Sequence, residues 1–233
     1  MISDFFRENG VFNDIKSNFS VAAIVPAYNE EEKLGDVLKA LTKTKILSEI
    51  IVVDDCSTDK TQDIIKKFNV TYIRNKKNKG KAASMNIGVK RSNSDIIFFC
   101  DADLTGLTPK IVEQIVLPVA KGECDMFIGI RNNIMQKSFL PFALNSGERA
   151  LRRDIWDRLP NYYKHRYRVE VGLNYLIKRL GGKTKYKIFN YYQTLKERKY
   201  GIIKGTFLRW WMNMDVSMAF LRMQTLDRQK AFN

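Results

Sequence analysis

Ile96-Ile97-Phe98-Phe99-Cys100-Asp101-Ala102-Asp103 is the stretch on which the fold turns. Five apolar residues run straight into two carboxylates spaced i, i+2. A short apolar run bounded by polar residues suits a fully buried strand of a parallel sheet. Ligands of such sheets bind at the carboxyl ends of the strands, which places Asp101 and Asp103 at the mouth. Two carboxylates held close repel each other unless a cation lies between them, and oxygen donors suit Mg²⁺ or Mn²⁺. An Asp-x-Asp by itself is more often a solvated turn. Its weight comes from the sequence upstream.

Val21-Ala22-Ala23-Ile24-Val25 reads as a first buried strand, ending at Pro26-Ala27-Tyr28-Asn29-Glu30. Asn29 is placed to cap the following helix, whose apolar stripe is Leu34, Val37, Leu38 and Leu41. Ile50 to Val53 is a second strand, ending at Asp54-Asp55-Cys56-Ser57. A helix over 61–68 and a short strand over 70–73 follow. Asn78-Lys79-Gly80-Lys81 is a basic turn opening a helix over 82–89, and a lysine at a helix N-terminus makes an anion site. After the Asp101-Ala102-Asp103 strand, Thr108-Pro109 starts another helix, and residues 125–130 form a strand ending at Arg131. Strands alternating with helices predict a doubly wound α/β sheet, mixed in direction, over 19–131.

The rest is less regular. Residues 1–18 read as a surface arm, 132–197 as an acceptor-binding part of the same domain, and 198–233 as a basic amphipathic helical segment. Ser146-Gly147-Glu148-Arg149 reads as a loop entering a short helix. A helix over 169–180 buries Leu173, Leu176, Ile177 and Leu180, and Gly181-Gly182 stops it before an edge strand over 184–189. From Ile202 to Met223 the pattern is an aromatic- and Met-rich helix.

The 233 residues are enough to bury a substantial core. Three scattered cysteines, Cys56, Cys100 and Cys124, show no metal-type spacing and fit a reducing compartment. Asp4 and Glu8 interrupt any signal pattern, and no apolar run reaches membrane-spanning length. The expected location is cytoplasmic, peripheral at the inner face of the membrane. The net charge of +15 lies entirely in residues 131–233, with 22 Lys/Arg against 7 Asp/Glu. That half should meet an anion: a phosphorylated substrate, an acidic membrane surface or nucleic acid.

Taken together, Pro26-Ala27-Tyr28-Asn29-Glu30, Asp54-Asp55, Asn78-Lys79-Gly80-Lys81 and Asp101-Ala102-Asp103 resemble the nucleotide-sugar domain of family 2 glycosyltransferases of the GT-A fold. The missing glycine-rich dinucleotide fingerprint argues against a nicotinamide enzyme. The resemblance places Pro26, Tyr28 and Glu30 around the nucleoside, Asp55 on the base edge, and Lys81 on the base or the phosphates. Asp101-Ala102 is expected against the ribose and metal, and Asp103 as the direct ligand of Mn²⁺ or Mg²⁺. The metal would stabilise the charge left on the diphosphate as the sugar departs.

Downstream, the similarity is to polyprenyl-phosphate sugar transferases of the dolichol-phosphate mannosyltransferase type. It implies phosphate contacts for Arg131, a sugar pocket shaped by Gly147, and donor or acceptor-phosphate contacts for Arg198 and Lys204. Arg198-Lys199-Tyr200-Gly201-Ile202-Ile203-Lys204 resembles the Arg-x-Tyr-Gly-x-Ser-Lys segment of those enzymes, with Ile203 in place of the serine, and Thr105 stands where they often have a metal-binding Gln. His165, the single histidine, is a candidate third metal ligand, or a residue of a basic surface loop. Glu170 falls where the family places an acidic residue near the acceptor, a general base if that acceptor is a hydroxyl.

These readings predict a metal-dependent inverting transferase. It would take a nucleoside diphosphate sugar and a lipid-linked acceptor, most plainly polyprenyl phosphate, at an anionic membrane surface. A soluble phosphorylated or glycan acceptor is the alternative. A nucleic-acid-binding protein, with Trp210-Trp211 stacking bases, is the alternative of another class. Two adjacent helical tryptophans point about 100° apart, which disfavours a single stacking platform, so no nucleic acid is expected.

Overall fold

A computed structural model describes residues 19–132, 144–193, 202–225 and 227. The expected arm over 1–18 lies outside them. A seven-stranded sheet forms the centre. Its strands are β1 (Val21–Ala27), β2 (Glu49–Asp54), β3 (Thr71–Arg74), β4 (Ile96–Phe99), β6 (Met126–Arg131), β7 (Arg149–Arg152) and β8 (Thr184–Phe189), in the order β3-β2-β1-β4-β7-β6-β8. Two further strands, β5 (Leu104–Thr105) and β9 (Tyr192–Gln193), make a separate antiparallel ribbon.

β1 pairs in parallel with β2 and with β4, and β2 with β3. Their carboxyl ends therefore share one edge. Ala27 lies beside Asp54, Asp55 N donates to the Ala27 carbonyl, and Cys100 N to that of Ile24. Side chains alternate between the two faces, as strand geometry requires. Ile24, Val53, Ile97 and Phe99 pack under α3 (Lys81–Arg91), whose Ala82, Met85 and Val89 are buried. Val25, Val52, Ile96 and Phe98 pack under α1 (Leu34–Thr42) and α4 (Pro109–Ala120) on the other face. Layers on both faces explain why β1 and β4 read as unbroken apolar runs.

Four expectations need correction. Asn29 does not cap α1, which begins at Leu34 after a turn closed by the Glu30 carbonyl; Asn29 instead has φ +52° and accepts from Thr58 N. The helix expected over 61–68 is a single turn and a half, α2 (Thr61–Ile65), because Asn69 and Val70 lead at once into β3. Ser146 to Arg149 does not enter a helix directly. It enters β7, inserted antiparallel between β4 and β6, and only then α5 (Arg153–Arg158). The C-terminal helix is also not amphipathic in the expected sense, as described below.

α6 (Val169–Arg179) buries the predicted face, with Gly181 at φ +67° just beyond its end. α7 (Ile202–Thr225) packs on α6 through Val216, Ala219 and Met223. Its opposite side carries the exposed side chains of Phe207, Trp211, Met214, Met218 and Leu221. Cys100 and Cys124 are buried, and burial pushes the Cys124 thiol up to about 11, so both behave as core residues.

Candidate active site

The reversed strand β7 builds the site. Running against its neighbours, it starts at the edge where β1, β2, β4 and β6 end. Gly147 and Glu148 therefore arrive beside Asp101 and Arg131.

Lys81 is the first residue of α3, and its ammonium lies 2.5 Å from Asp101 Oδ1 and 3.6 Å from Glu170 Oε1. Burial alone would lower the Lys81 pKa; the charges of Asp101 and Glu170 outweigh it, and the ammonium is held well above its ordinary value. Burial would likewise raise Asp101, but Lys81 and then Arg131 keep its carboxyl below the usual range. Gly147 lies against this pair: a Cβ there would stand 2.7 Å from Lys81 Nζ and 3.0 Å from each Asp101 oxygen. Only a residue without a side chain lets the β7 entry pass so close.

Behind this front is a buried polar layer. Glu148 accepts from Ser146 Oγ at 2.7 Å and from the Tyr191 hydroxyl at 3.3 Å. Arg131 Nε lies 3.7 Å from Glu148 Oε2, an ion pair too long for a hydrogen bond. Arg131 Nε and Glu148 Oε1 are buried without a hydrogen-bond partner. Burial pushes the Glu148 carboxyl up to about 7, with Arg131 opposing. Arg149 is wholly buried and donates to the carbonyls of Leu144, Ser146 and Glu170 and to Asn174 Oδ1. That fork ties the β7 entry to the first turn of α6, where Glu170 stands.

The side on which the resemblance implies a nucleoside is assembled from the exits of β1 and β2. Tyr28 is exposed at the mouth, with Pro26 and Glu30 half-buried beside it. Asn29 N donates to Ser57 Oγ and Glu30 N to Thr61 Oγ1, which latches the two exits together. Asp55 is buried and accepts from Asn75 Nδ2, Lys79 N and Gly80 N at 2.7–2.8 Å. It shapes the turn that delivers Lys81, a role beyond the base contact that the resemblance implies.

The other predicted site residues are placed as follows. Lys81, Asp101, Ala102, Asp103, Arg131, Gly147 and Glu170 come together, with Asp103 half-buried at the strand exit. Asp101, Asp103 and His165 do not form a metal-ligand cluster: among the described residues no three His, Cys, Asp or Glu side chains gather that way, and His165 is exposed. Arg198 lies outside the described residues, as does the side chain of Lys204. The sequence reading passed over Glu148 as a buried acid, and over Arg149 and Tyr191. A charged pair following Ser-Gly gave a signal for a loop, not for an inner strand.

This sheet and edge define a GT-A fold, with acidic residues and cations at the strand ends. Residues 22–174 match the sequence profile of glycosyl transferase family 2, and the chain belongs to that family. It is 32% identical over 117 residues to a dolichol-phosphate mannosyltransferase of Pyrococcus furiosus, covering 48% of this chain and 33% of that one. It is 27% identical over 138 residues to a dodecaprenyl-phosphate galacturonate synthase of Rhizobium johnstonii, covering 55% and 40%. The chain spans about half or less of the length of the curated relatives it matches. Glucosyl-3-phosphoglycerate synthase from Mycobacterium tuberculosis, solved with Mn²⁺, UDP and glucosyl-3-phosphoglycerate, superposes with TM-score 0.75 at 20% identity, over 91% of this chain and 82% of that one. No described helix is long and apolar enough to cross a membrane.

Proposed function

We propose that the chain transfers a hexose, with inversion, from a nucleoside diphosphate sugar to the phosphate of a polyprenyl lipid at an anionic membrane face. The observation that carries this reading is the contact chain Asp101–Lys81–Glu170 with Arg131 alongside. It joins the strand ends that would hold the donor to the helix on the acceptor side, and brings two cations to the point where two phosphate groups would repel each other.

Asp101 and Asp103 offer the hard oxygen donors that Mn²⁺ or Mg²⁺ prefers, and such ions readily complete their shell with water and diphosphate oxygens. The donor set fits on that ground, provided Asp101 shares or gives up its contact with Lys81. The ion would supply charge stabilisation for the departing diphosphate. Lys81 and Arg131 would share that work. Tyr28, Pro26 and Glu30 would cradle the nucleoside, and Gly147 would leave room for the sugar.

A phosphate nucleophile is already ionised near neutral pH and requires no base, so Glu170 would orient Lys81 rather than take a proton. On purified protein with Mn²⁺, a nucleotide sugar and polyprenyl phosphate, Glu170→Gln should cost about tenfold or less in kcat. Arg131→Ala should cost far more, towards the ~10²–10⁴ associated with a directly acting group. A large Glu170 effect beside a small Arg131 effect would sink the phosphate acceptor. Asp103→Asn should weaken Mn²⁺-dependent nucleotide binding while leaving thermal unfolding unchanged. A soluble phosphorylated acceptor is the second reading, favoured by the breadth of the structural likeness to glucosyl-3-phosphoglycerate synthase.

A further inference from the structure

α7 is apolar on two opposite sides. Inward, Val216, Ala219 and Met223 join the core. Outward, Phe207, Trp211, Met214, Met218 and Leu221 recur at steps of four and three residues, and Trp210 flanks them; these side chains are 44–60% exposed. Such spacing keeps them on one line along the helix. Phe207 lies 6.3–6.4 Å from both Trp210 and Trp211, so the aromatic end is one contiguous patch. A contiguous apolar stripe left exposed along a helix marks a binding surface.

Charge selects the occupant. The only acid in 202–225 is Asp215, and it is turned inward. The guanidinium of Arg166 stands 5.6 Å from the Trp211 ring, and the whole +15 excess lies in residues 131–233. A second copy of the chain would bring two like-charged surfaces together. An anionic lipid surface offers headgroup phosphates for the cations and an acyl boundary for Trp, Phe and Met.

The inner side of α7 is bolted to the site. Asp215 accepts from Arg168 Nε at 2.8 Å and from Tyr167 N at 3.1 Å, and its Oδ1 lies 2.6 Å from the second guanidinium nitrogen. Arg168 is the residue before α6, and Glu170 stands in the first turn of that helix, 3.6 Å from Lys81. The Tyr162 ring is flanked by Arg168 at 4.4 Å and Arg222 of α7 at 4.1 Å, and the Tyr163 hydroxyl donates to Asp227.

We infer that the outer stripe of α7 seats the protein on an anionic lipid surface, and that Asp215 fixes that seat rigidly to the start of α6 and hence to the Lys81 cluster. The inference rests on the lipid-acceptor reading and names the surface by which the protein would meet that lipid. Asp215 is a positioning residue here; it touches neither donor nor acceptor.

The test is co-sedimentation of the full chain with phosphatidylcholine–phosphatidylglycerol vesicles against pure phosphatidylcholine vesicles. Partitioning should favour the anionic vesicles by at least about tenfold at low salt and weaken as salt rises. The double variant Met214→Glu with Met218→Glu should lose about tenfold of it, with nucleotide-sugar binding unchanged as the check on folding. Trp211→Ala, a milder change, should lose part of it. No vesicle binding by wild-type protein, or equal binding to both vesicles, overturns the inference. So does a dimer that the double variant dissociates, because the stripe would then meet a second copy. Vesicle binding without transfer to polyprenyl phosphate would instead leave the docking surface standing and refute the acceptor.

Discussion

Gly147 separates two roles that a substitution usually confounds. Its neighbours are the terminal atoms of a lysine and a carboxylate, not packed backbone. Gly147→Ala should therefore push Lys81 Nζ off Asp101 while the fold adjusts at little cost. Donor affinity, by titration calorimetry with a nucleoside diphosphate, should fall several-fold with thermal unfolding nearly unchanged. Gly172→Ala is the contrast: a Cβ there would stand 2.6 Å from Tyr163 Cβ, inside the core, so unfolding should shift first. Glu148 gives a pH signature. Its carboxyl ordinarily titrates at 4.5 and burial raises it to about 7 in the folded protein. Below 4.5 both states hold the proton. As pH rises, the unfolded chain ionises first and folding loses stability, until the folded carboxyl also ionises near 7. Each pH unit between the two values corresponds to ~1.4 kcal/mol. Glu148→Gln has no such loss, so its melting temperature should gain on wild type between pH 5 and pH 8, an interval that covers most of the window from ~4.5 to ~7. A constant difference would mean Glu148 is ionised throughout.

At the scale of elements, the turn from Asn78 to Lys81 depends on Asp55, which sits one residue beyond β2. Asp55→Ala would leave Asn75 Nδ2 with its bond to Ser84 Oγ alone and remove the acceptor of the Lys79 and Gly80 N–H groups. Hydrogen bonds to a charged group contribute ~1.5–3 kcal/mol, so losing those to the buried Asp55 carboxylate should lower both the unfolding midpoint and donor affinity. Asn75→Ala removes one donor and should do less of each; an unchanged midpoint for Asp55→Ala would leave only the base contact for that residue. The pattern of what the sequence disclosed follows the same physics. β1, β2 and β4 are buried on both faces, so their apolar runs are visible without knowing their partners. The three polar strand exits between them make that edge of the sheet readable. β7 was not readable, because its entry is charged: Glu148 Oε2 accepts from Ser146 and Tyr191, and the Arg149 guanidinium donates to Asn174 and to backbone carbonyls distant in sequence or made by the turn itself. No local periodicity reports that. The ribbon of β5 and β9 joins two residue pairs far apart in the chain and leaves no pattern at all. Asn29 misled because a short polar residue before an acidic run suits a cap, while its side chain was needed to hold Thr58 and the β2 exit.

The whole molecule is electrically divided, neutral through residues 1–130 and strongly basic beyond them, and the structure shows where the halves touch. Glu170, Lys81 and Asp101 form the seam, and α7 stands on the basic side of it. If α7 were attached only by its apolar contacts, loosening it would leave the seam intact. Asp215 makes the opposite case. Arg168 is partly exposed and stacks on Tyr162, so the loss of its partner should cost less than the ~3–5 kcal/mol of a fully buried pair. Asp215→Ala should then act locally. Amide hydrogen exchange should quicken along α7 and at the start of α6, with β1 and β4 as protected as before. Donor affinity should fall, because Glu170 would lose its fixed place beside Lys81. Asp215→Asn, which keeps an acceptor for Tyr167 N but not the charge, should fall between. Faster exchange spread evenly over sheet and helices would make Asp215 a general stabilising residue. Faster exchange in α7 with unchanged donor affinity would mean that the helix is fastened to the protein but not to the site.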